Sequence, residues 1–199
     1  LEPVVHSEWQ VGLLEARSTG YPLRVWLKID TGMTRLGIRS DEVSELIARL
    51  AKCPTVIQPV QLMSHLANAD ALEDSFTEHQ IERFRCLEEE ASGERGLANS
   101  AGVLGWEKSH SEWVRPGIML YGISPFPGRT GPEEGLEPVM TLRSRLITIR
   151  EVDAGTRVGY GGDWIAQRRT RLGVAAIGYG DGYPRLAKSG TPVLIHDQY

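Results

Sequence analysis

Apolar and polar positions along the first part of the chain follow two different periods. From Arg24 to Asp30, Val25, Leu27 and Ile29 fall on one side and Lys28 on the other, the alternation of a strand. Asp41 to Ala51 carries Val43, Leu46, Ile47 and Leu50 at helical spacing, with Ser40 or Asp41 placed to cap it. Val56 to Met63 predicts a second strand. Asp74 to Ala91 predicts a helix, with Ile81, Phe84, Leu87 and Ala91 on one stripe and Gly93 beyond its end. Short strands are expected at Gly96–Ala98 and Trp113–Val114. This βαβα order predicts a parallel sheet or barrel.

The rhythm breaks at Ser124 to Leu136, where three prolines and three glycines rule out a helix or a central strand. This run reads as a linker. Beyond it, Val139–Val152, Arg157–Tyr160, Arg171–Ile177 and Thr191–Ile195 are strand-like and separated by Gly and Asp turns, which predicts the start of a separate mainly-β domain. No internal repeat or low-complexity tract appears. The chain therefore divides into an α/β domain over 1–124, a linker over 125–136 and a β domain over 137–199.

Composition narrows the function classes. The chain has 199 residues, 41% hydrophobic and 24% charged, ordinary globular values. The net charge is −4, and no basic stretch is dense enough for a nucleic-acid footprint. No apolar run approaches the roughly 18 residues of a membrane span. Leu1-Glu2-Pro3 does not begin a signal peptide. Cys53 and Cys86 are too far apart for a metal knuckle; they are expected to be reduced structural thiols of a cytoplasmic protein, with one disulfide left open, and no metal site is expected. Of 22 basic residues only four are lysines: Lys28, Lys52, Lys108 and Lys188.

In parallel α/β domains, chemistry gathers just after the C-terminal ends of strands. The unusual segments fall there: Thr31-Gly32-Met33-Thr34-Arg35-Leu36-Gly37, Ser64-His65, Asn99-Ser100-Ala101-Gly102 and Arg115-Pro116-Gly117-Ile118. Each also has a plainer structural reading. Lys28 is either a costly interior cation that needs a partner or a solvated charge near a strand end. His65 could be a hydrogen-bonded structural histidine, Asn99-Ser100 a helix cap, Arg115-Pro116-Gly117 a turn, and Tyr160 a turn tyrosine between glycines. Taken together, the Ser100 hydroxyl and the Gly117 and Ile118 amides have the makings of a phosphate cradle, with Arg115 close by in sequence. The residues alone thus imply an α/β domain with a phosphate-bearing ligand and an appended β domain.

These segments also carry a resemblance. Lys28-Ile29-Asp30-Thr31-Gly32-Met33-Thr34-Arg35-Leu36-Gly37 closely resembles the K-x-D-T-G-M-x-R-L-G segment of bacterial alanine racemases. Ser64–Asp70, Asn99-Ser100, Arg115–Gly122, Val158–Gly162 and Ile177–Tyr183 resemble further segments of that family in order and spacing. The resemblance implies a (β/α)8 TIM-type barrel followed by a mainly-β domain, the cofactor pyridoxal 5′-phosphate, and a homodimer with shared active sites. It implies interconversion of L- and D-alanine, the small-molecule substrate, for peptidoglycan synthesis.

The resemblance also assigns roles. Arg115 would hydrogen-bond the pyridine nitrogen of the cofactor, Ser100 and the amides of Gly117 and Ile118 would hold its phosphate, and Asn99 would also belong to the cofactor-binding set. Tyr160 would be a general base, acting in the partner subunit's site, and His65, linked to Arg115, would tune its hydroxyl. Arg35 would approach the substrate carboxylate, Lys28 would be carbamylated and orient Arg35, and Tyr179 would line the substrate corridor. The family's cofactor-bearing lysine lies in a K-A-N-A-Y-G-H-G segment that has no counterpart here, and a later Met-Asp segment is also without one. The expectation is an internal fragment: the second half of the barrel and the start of the β domain, inactive by itself. The alternatives are a broad-specificity or serine racemase of the same fold, or a non-catalytic barrel that binds pyridoxal phosphate.

Overall fold

The computed structural model describes residues 1–17, 20–87, 91–196 and 198. It divides into two compact units, Leu1–Met140 and Thr141–Tyr199.

The first unit alternates strands and helices: β1 (Val4–Val5), α1 (Glu8–Glu15), β2 (Leu23–Lys28), α2 (Val43–Ala51), β3 (Val56–Met63), α3 (Phe76–Arg85), β4 (Arg95–Gly96) and α4 (Ser100–Gly105). The four strands form one parallel sheet in the order β1-β2-β3-β4, as expected for βα units wound in one direction. Trp113 continues beside β4 through a parallel bridge to Gly96, and the Arg115 N–H donates to the Ala98 carbonyl at 2.8 Å. Those two pairings lay the Arg115 segment along the C-terminal end of the sheet.

Val25, Leu27 and Ile29 are 0–1% exposed and share one core with Val43, Leu46 and Leu50 of the α2 segment and with Val60 and Leu62 of β3. Burying each such side chain contributes about 1.5–3 kcal/mol before entropy is counted. Because side chains alternate along a strand, packing Leu27 against the helices turns Lys28 to the opposite face. Alternation in β2 therefore decides which residues meet the site.

Several boundaries differ from the sequence reading. α2 opens with a 3-10 turn over Ser40–Glu42, and neither Ser40 nor Asp41 caps it; the Asp41 carboxylate pairs with Arg39 instead. α3 starts at Phe76, whose N–H donates to Asp74 Oδ1 at 2.9 Å, and ends at Arg85, where Leu87 N–H already bonds the Phe84 carbonyl in a tighter turn. The expected helix end beyond Leu87 falls partly on residues 88–90, outside the described residues. β1 and α1 were not foreseen. In α1 only Val11 and Leu14 are buried, whereas Trp9 and Leu13 are exposed, so no apolar stripe marks it. The Pro- and Gly-rich run 125–136 lies within the first unit, with Phe126 5% exposed in its core and a 3-10 turn over Pro132–Glu134.

The second unit pairs β5 (Leu146–Val152) with β8 (Thr170–Ala175) in an antiparallel ribbon, and β6 (Arg157–Val158) with β7 (Trp164–Ile165). β5 is shorter than the expected Val139–Val152, and Thr191–Ile195 forms no strand beyond a bridge from Ile195 to Gln198. Alternating apolar residues promise a strand only where a partner supplies the ladder.

Candidate functional site

The segment after β2 returns onto its own strand. Asp30 N–H donates to the Ile38 carbonyl and Ile38 N–H to the Lys28 carbonyl, both at 2.8 Å. Inside this loop the Asp30 carboxylate accepts N–H groups from Gly32 and Thr34 at 2.9 and 3.0 Å. Gly37 holds φ +143, and a Cβ there would lie 2.5 Å from the Asp30 nitrogen, so the loop closes only with glycine. The closure places Arg35 on a short exposed arc beside Lys28.

After β3, Ser64 is buried and His65 half-buried. The Arg115 guanidinium crosses the ends of β3 and β4: its Nη2 donates to the Ser64 carbonyl, and its Nη1 lies where a Cβ on Gly96 would stand. Nη1 is buried and has no partner within the described residues. Gly96 thus leaves room for an arginine that a larger residue would displace.

After β4, Asn99 caps α4. Its Oδ1 accepts the Gly102 N–H at 2.9 Å and its Nδ2 donates to the Leu66 carbonyl at 3.2 Å, which ties the α4 turn to the loop after β3. The plainer reading of Asn99 is therefore the one its contacts fit. The Ser100 hydroxyl accepts N–H groups from Gly117 at 2.8 Å and Met119 at 3.3 Å. Its own proton remains available for donation, and the Ile118 N–H has no acceptor within the described residues.

His65, Asn99, Ser100, Arg115, Gly117 and Ile118 line one cavity of about 300 Å³, together with Asp70, Ala101 and Pro125. That volume suits a small cofactor or substrate. The site is electropositive. Burial, then Arg115, Lys28 and Arg35, push the His65 ring down to about 4, so it is neutral at pH 7. Lys28 is also pushed down, first by burial, then by Arg115 and Arg35, with Asp30 opposing. Burial lowers Arg115, though a guanidinium keeps its proton in any case. The coupling places Lys28 and Arg35 in the electrostatic neighbourhood of His65 and Arg115.

Tyr160 and Tyr179 belong to the second unit. Tyr160 is 98% exposed on a turn whose neighbours Gly159 and Gly161 have φ +78 and +72. Tyr179 is exposed, with the Arg185 guanidinium 5.8 Å from its ring centre. Both cysteines are thiols, Cys53 buried and Cys86 exposed. Sequence reasoning named Thr31 and Ser64 within the strand-end segments without giving them a role and missed Gln80; the buried side chains of all three bond one another. The available signal was Gln80 itself, a polar residue one turn before Phe84 on the apolar stripe of α3.

A parallel βα sheet whose strand ends gather a hydroxyl, backbone amides and a half-buried arginine around one cavity defines an α/β protein with a cavity suited to a small anionic group. The comparisons with known proteins make the family specific. Residues 1–125 match the model of the alanine racemase N-terminal domain and residues 139–199 that of the C-terminal domain. The chain belongs to the alanine racemase family. It is 52% identical over 196 residues to the alanine racemase of Aeromonas hydrophila, covering 98% of this chain and 55% of that protein. The biosynthetic alanine racemase of Pseudomonas aeruginosa superposes with a TM-score of 0.89 at 44% identity, over 97% of this chain and 54% of that one. An alanine racemase from Bartonella henselae, solved with covalently bound pyridoxal phosphate, gives a TM-score of 0.72 at 27% identity, over 93% and 51% of the two chains. The chain spans about half the length of these relatives. The fold is that of the family, an α/β barrel followed by a mainly-β domain.

Proposed function

We propose that the whole protein is a pyridoxal-phosphate-dependent racemase that interconverts L- and D-alanine as a cytoplasmic homodimer and supplies D-alanine for peptidoglycan. The observation that carries this reading is the buried, unpartnered Nη1 of Arg115. Leaving such a donor unpaired costs about 1–3 kcal/mol, so the site gains by receiving an acceptor. A deprotonated ring nitrogen is one. The Ser100 O–H and Ile118 N–H suit a phosphate, and the guanidinium groups of Arg35 and Arg115 keep the surroundings cationic. The cavity residues therefore fit the cofactor that the Bartonella relative carries.

When bound, pyridoxal phosphate supplies an electron-withdrawing ring conjugated to the substrate nitrogen. Arg115 cannot pass a proton to the ring nitrogen, so it moderates that withdrawal and favours return of the proton to Cα over other fates. Arg35 orients the alanine carboxylate. The depressed amine of Lys28 adds carbon dioxide: an N–C bond forms, one proton leaves, and the resulting carbamate anion holds Arg35. Neutral His65 helps set the protonation of the Tyr160 hydroxyl. Tyr160, exposed on its glycine turn, takes the proton from one face of Cα in the partner subunit's site, and Tyr179 lines the way in.

The test is made on the full-length protein with pyridoxal phosphate, following exchange of the alanine Cα proton into deuterated water from each enantiomer. Wild type exchanges both. Tyr160→Phe should slow removal from one enantiomer by about 10²- to 10⁴-fold with cofactor binding retained. No exchange in wild type, or equal rates for wild type and Tyr160→Phe, would overturn the reading.

A further inference from the structure

Helix α3 carries a buried carboxamide that none of the roles above uses. Gln80 is 0% exposed and occupies a core-facing position, where an apolar side chain would pack as well. Its Oε1 accepts the Ala67 N–H at 2.8 Å. Its Nε2 donates to the His65 carbonyl at 3.1 Å and to Thr31 Oγ1 at 3.2 Å.

The direction of the remaining bonds follows. Ser64 Oγ donates to the Ile29 carbonyl at 2.8 Å, because a carbonyl only accepts. The 2.8 Å contact between Thr31 Oγ1 and Ser64 Oγ must then run from Thr31 to Ser64. Thr31 Oγ1 is left to accept from Gln80. Protons thus point one way, from Gln80 through Thr31 and Ser64 to the Ile29 carbonyl just after β2. Reversing the carboxamide would set oxygen against the His65 carbonyl and an amino group against the Ala67 N–H, so its orientation is fixed. The far end reaches the cavity, since the Ser64 carbonyl accepts from Arg115. Arg83, one turn along α3, adds a bond from its Nη1 to the Thr31 carbonyl at 3.2 Å.

We propose that Gln80 is a positioning residue that clasps the loop after β2 to the loop after β3 and so sets where Arg35, His65 and Arg115 stand relative to one another. The inference rests on the racemase reading for its consequence, but the clasp itself is a property of this chain. Two loops after adjacent strands have no ladder between them, and buried hydrogen bonds are what remains to fix their spacing.

The experiment compares full-length wild type with Gln80→Met, Thr31→Val and the double variant. Gln80→Glu is a second probe that keeps the acceptor for Ala67 and, when ionised, loses the donor. Amide exchange is measured without cofactor, and racemisation with cofactor saturating. The expected result is exchange about tenfold faster in both 31–37 and 64–68 with β3 still protected. A fall in kcat of about ten- to a hundredfold with little change in the KM for alanine should accompany it. The double variant should be little worse than the more affected single one. Exchange that quickens only in α3, or kcat per bound cofactor within about twofold of wild type, would overturn the proposal. A wild type that does not racemise alanine, with both loops still loosened in the variants, would keep the clasp and remove the racemase reading.

Discussion

Gly37→Ala probes the closure that builds the arginine arc. In the folded chain Gly37 holds φ +143, a region that residues with a Cβ avoid at a cost of about 1–3 kcal/mol. The added Cβ would also stand 2.5 Å from the Asp30 nitrogen, 2.7 Å from the Ile29 carbonyl carbon and 3.0 Å from the Asp30 Cα. All three are backbone atoms, so no side chain can swing aside. Relief requires the loop to lift from the strand, which weakens the bonds Asp30 N–H to Ile38 and Ile38 N–H to Lys28, both 2.8 Å. Each such bond contributes about 0.5–1.5 kcal/mol net. Together the variant should lose about 2–6 kcal/mol. Gly128→Ala is the internal control: φ is +75 but nothing lies within 4 Å of its Cβ, so only the left-handed backbone cost of about 1–2 kcal/mol applies. The assay is denaturant unfolding of the full-length protein followed by tryptophan fluorescence. Because Arg35 lies two residues before Gly37, racemisation should also fall by up to about a hundredfold for a displacement near 1 Å. If Gly37→Ala is no more destabilising than Gly128→Ala and the rate is unchanged, the loop does not depend on this close approach.

Two further outcomes follow from the same site. His65 titrates near 4 in the folded protein and near 6.5 when unfolded, so its neutral form stabilises the fold fully above pH 6.5. That contribution is lost as pH falls from 6.5 to 4, at up to about 1.4 kcal/mol per unit before screening of the half-buried ring. His65→Asn should therefore lose stability less steeply over that window in urea unfolding at pH 7, 5.5 and 4.5; parallel curves would show that His65 does not titrate this way. Ser100→Ala removes the hydroxyl and the acceptor for two amides, and should weaken pyridoxal phosphate binding by about ten- to a hundredfold, the worth of a hydrogen bond to a charged group. An absorbance titration reads this directly, and affinity within about twofold of wild type would remove Ser100 from the cradle.

Local pattern was enough to find what depends on neighbours in sequence. The alternation in Arg24–Asp30 gave β2, the apolar run Val56–Met63 gave β3, and the apolar spacing of Val43, Leu46 and Leu50 gave α2, because each reports residues that must be buried. The motifs with Arg35, His65, Ser100 and Arg115 were legible for a like reason: each follows a strand or, for Arg115, the Trp113 bridge where a short strand was expected, and parallel strands deliver their C-terminal ends to one side. What the tertiary structure alone decided is how those ends are joined. Asn99 proved to be tied to Gly102 and Leu66, and the Gly117 amide to be bonded to Ser100, pairings across 33 and 17 residues for Leu66 and Gly117 that no spacing rule contains. Gln80 reads as one more position on a helix stripe until Thr31 and His65, 49 and 15 residues away, close around it. α1 was invisible because only Val11 and Leu14 turn inward. A hydrophobic period records that a face is buried, whereas a buried hydrogen bond depends on two distant segments arriving at the same place, and only the folded chain brings them there.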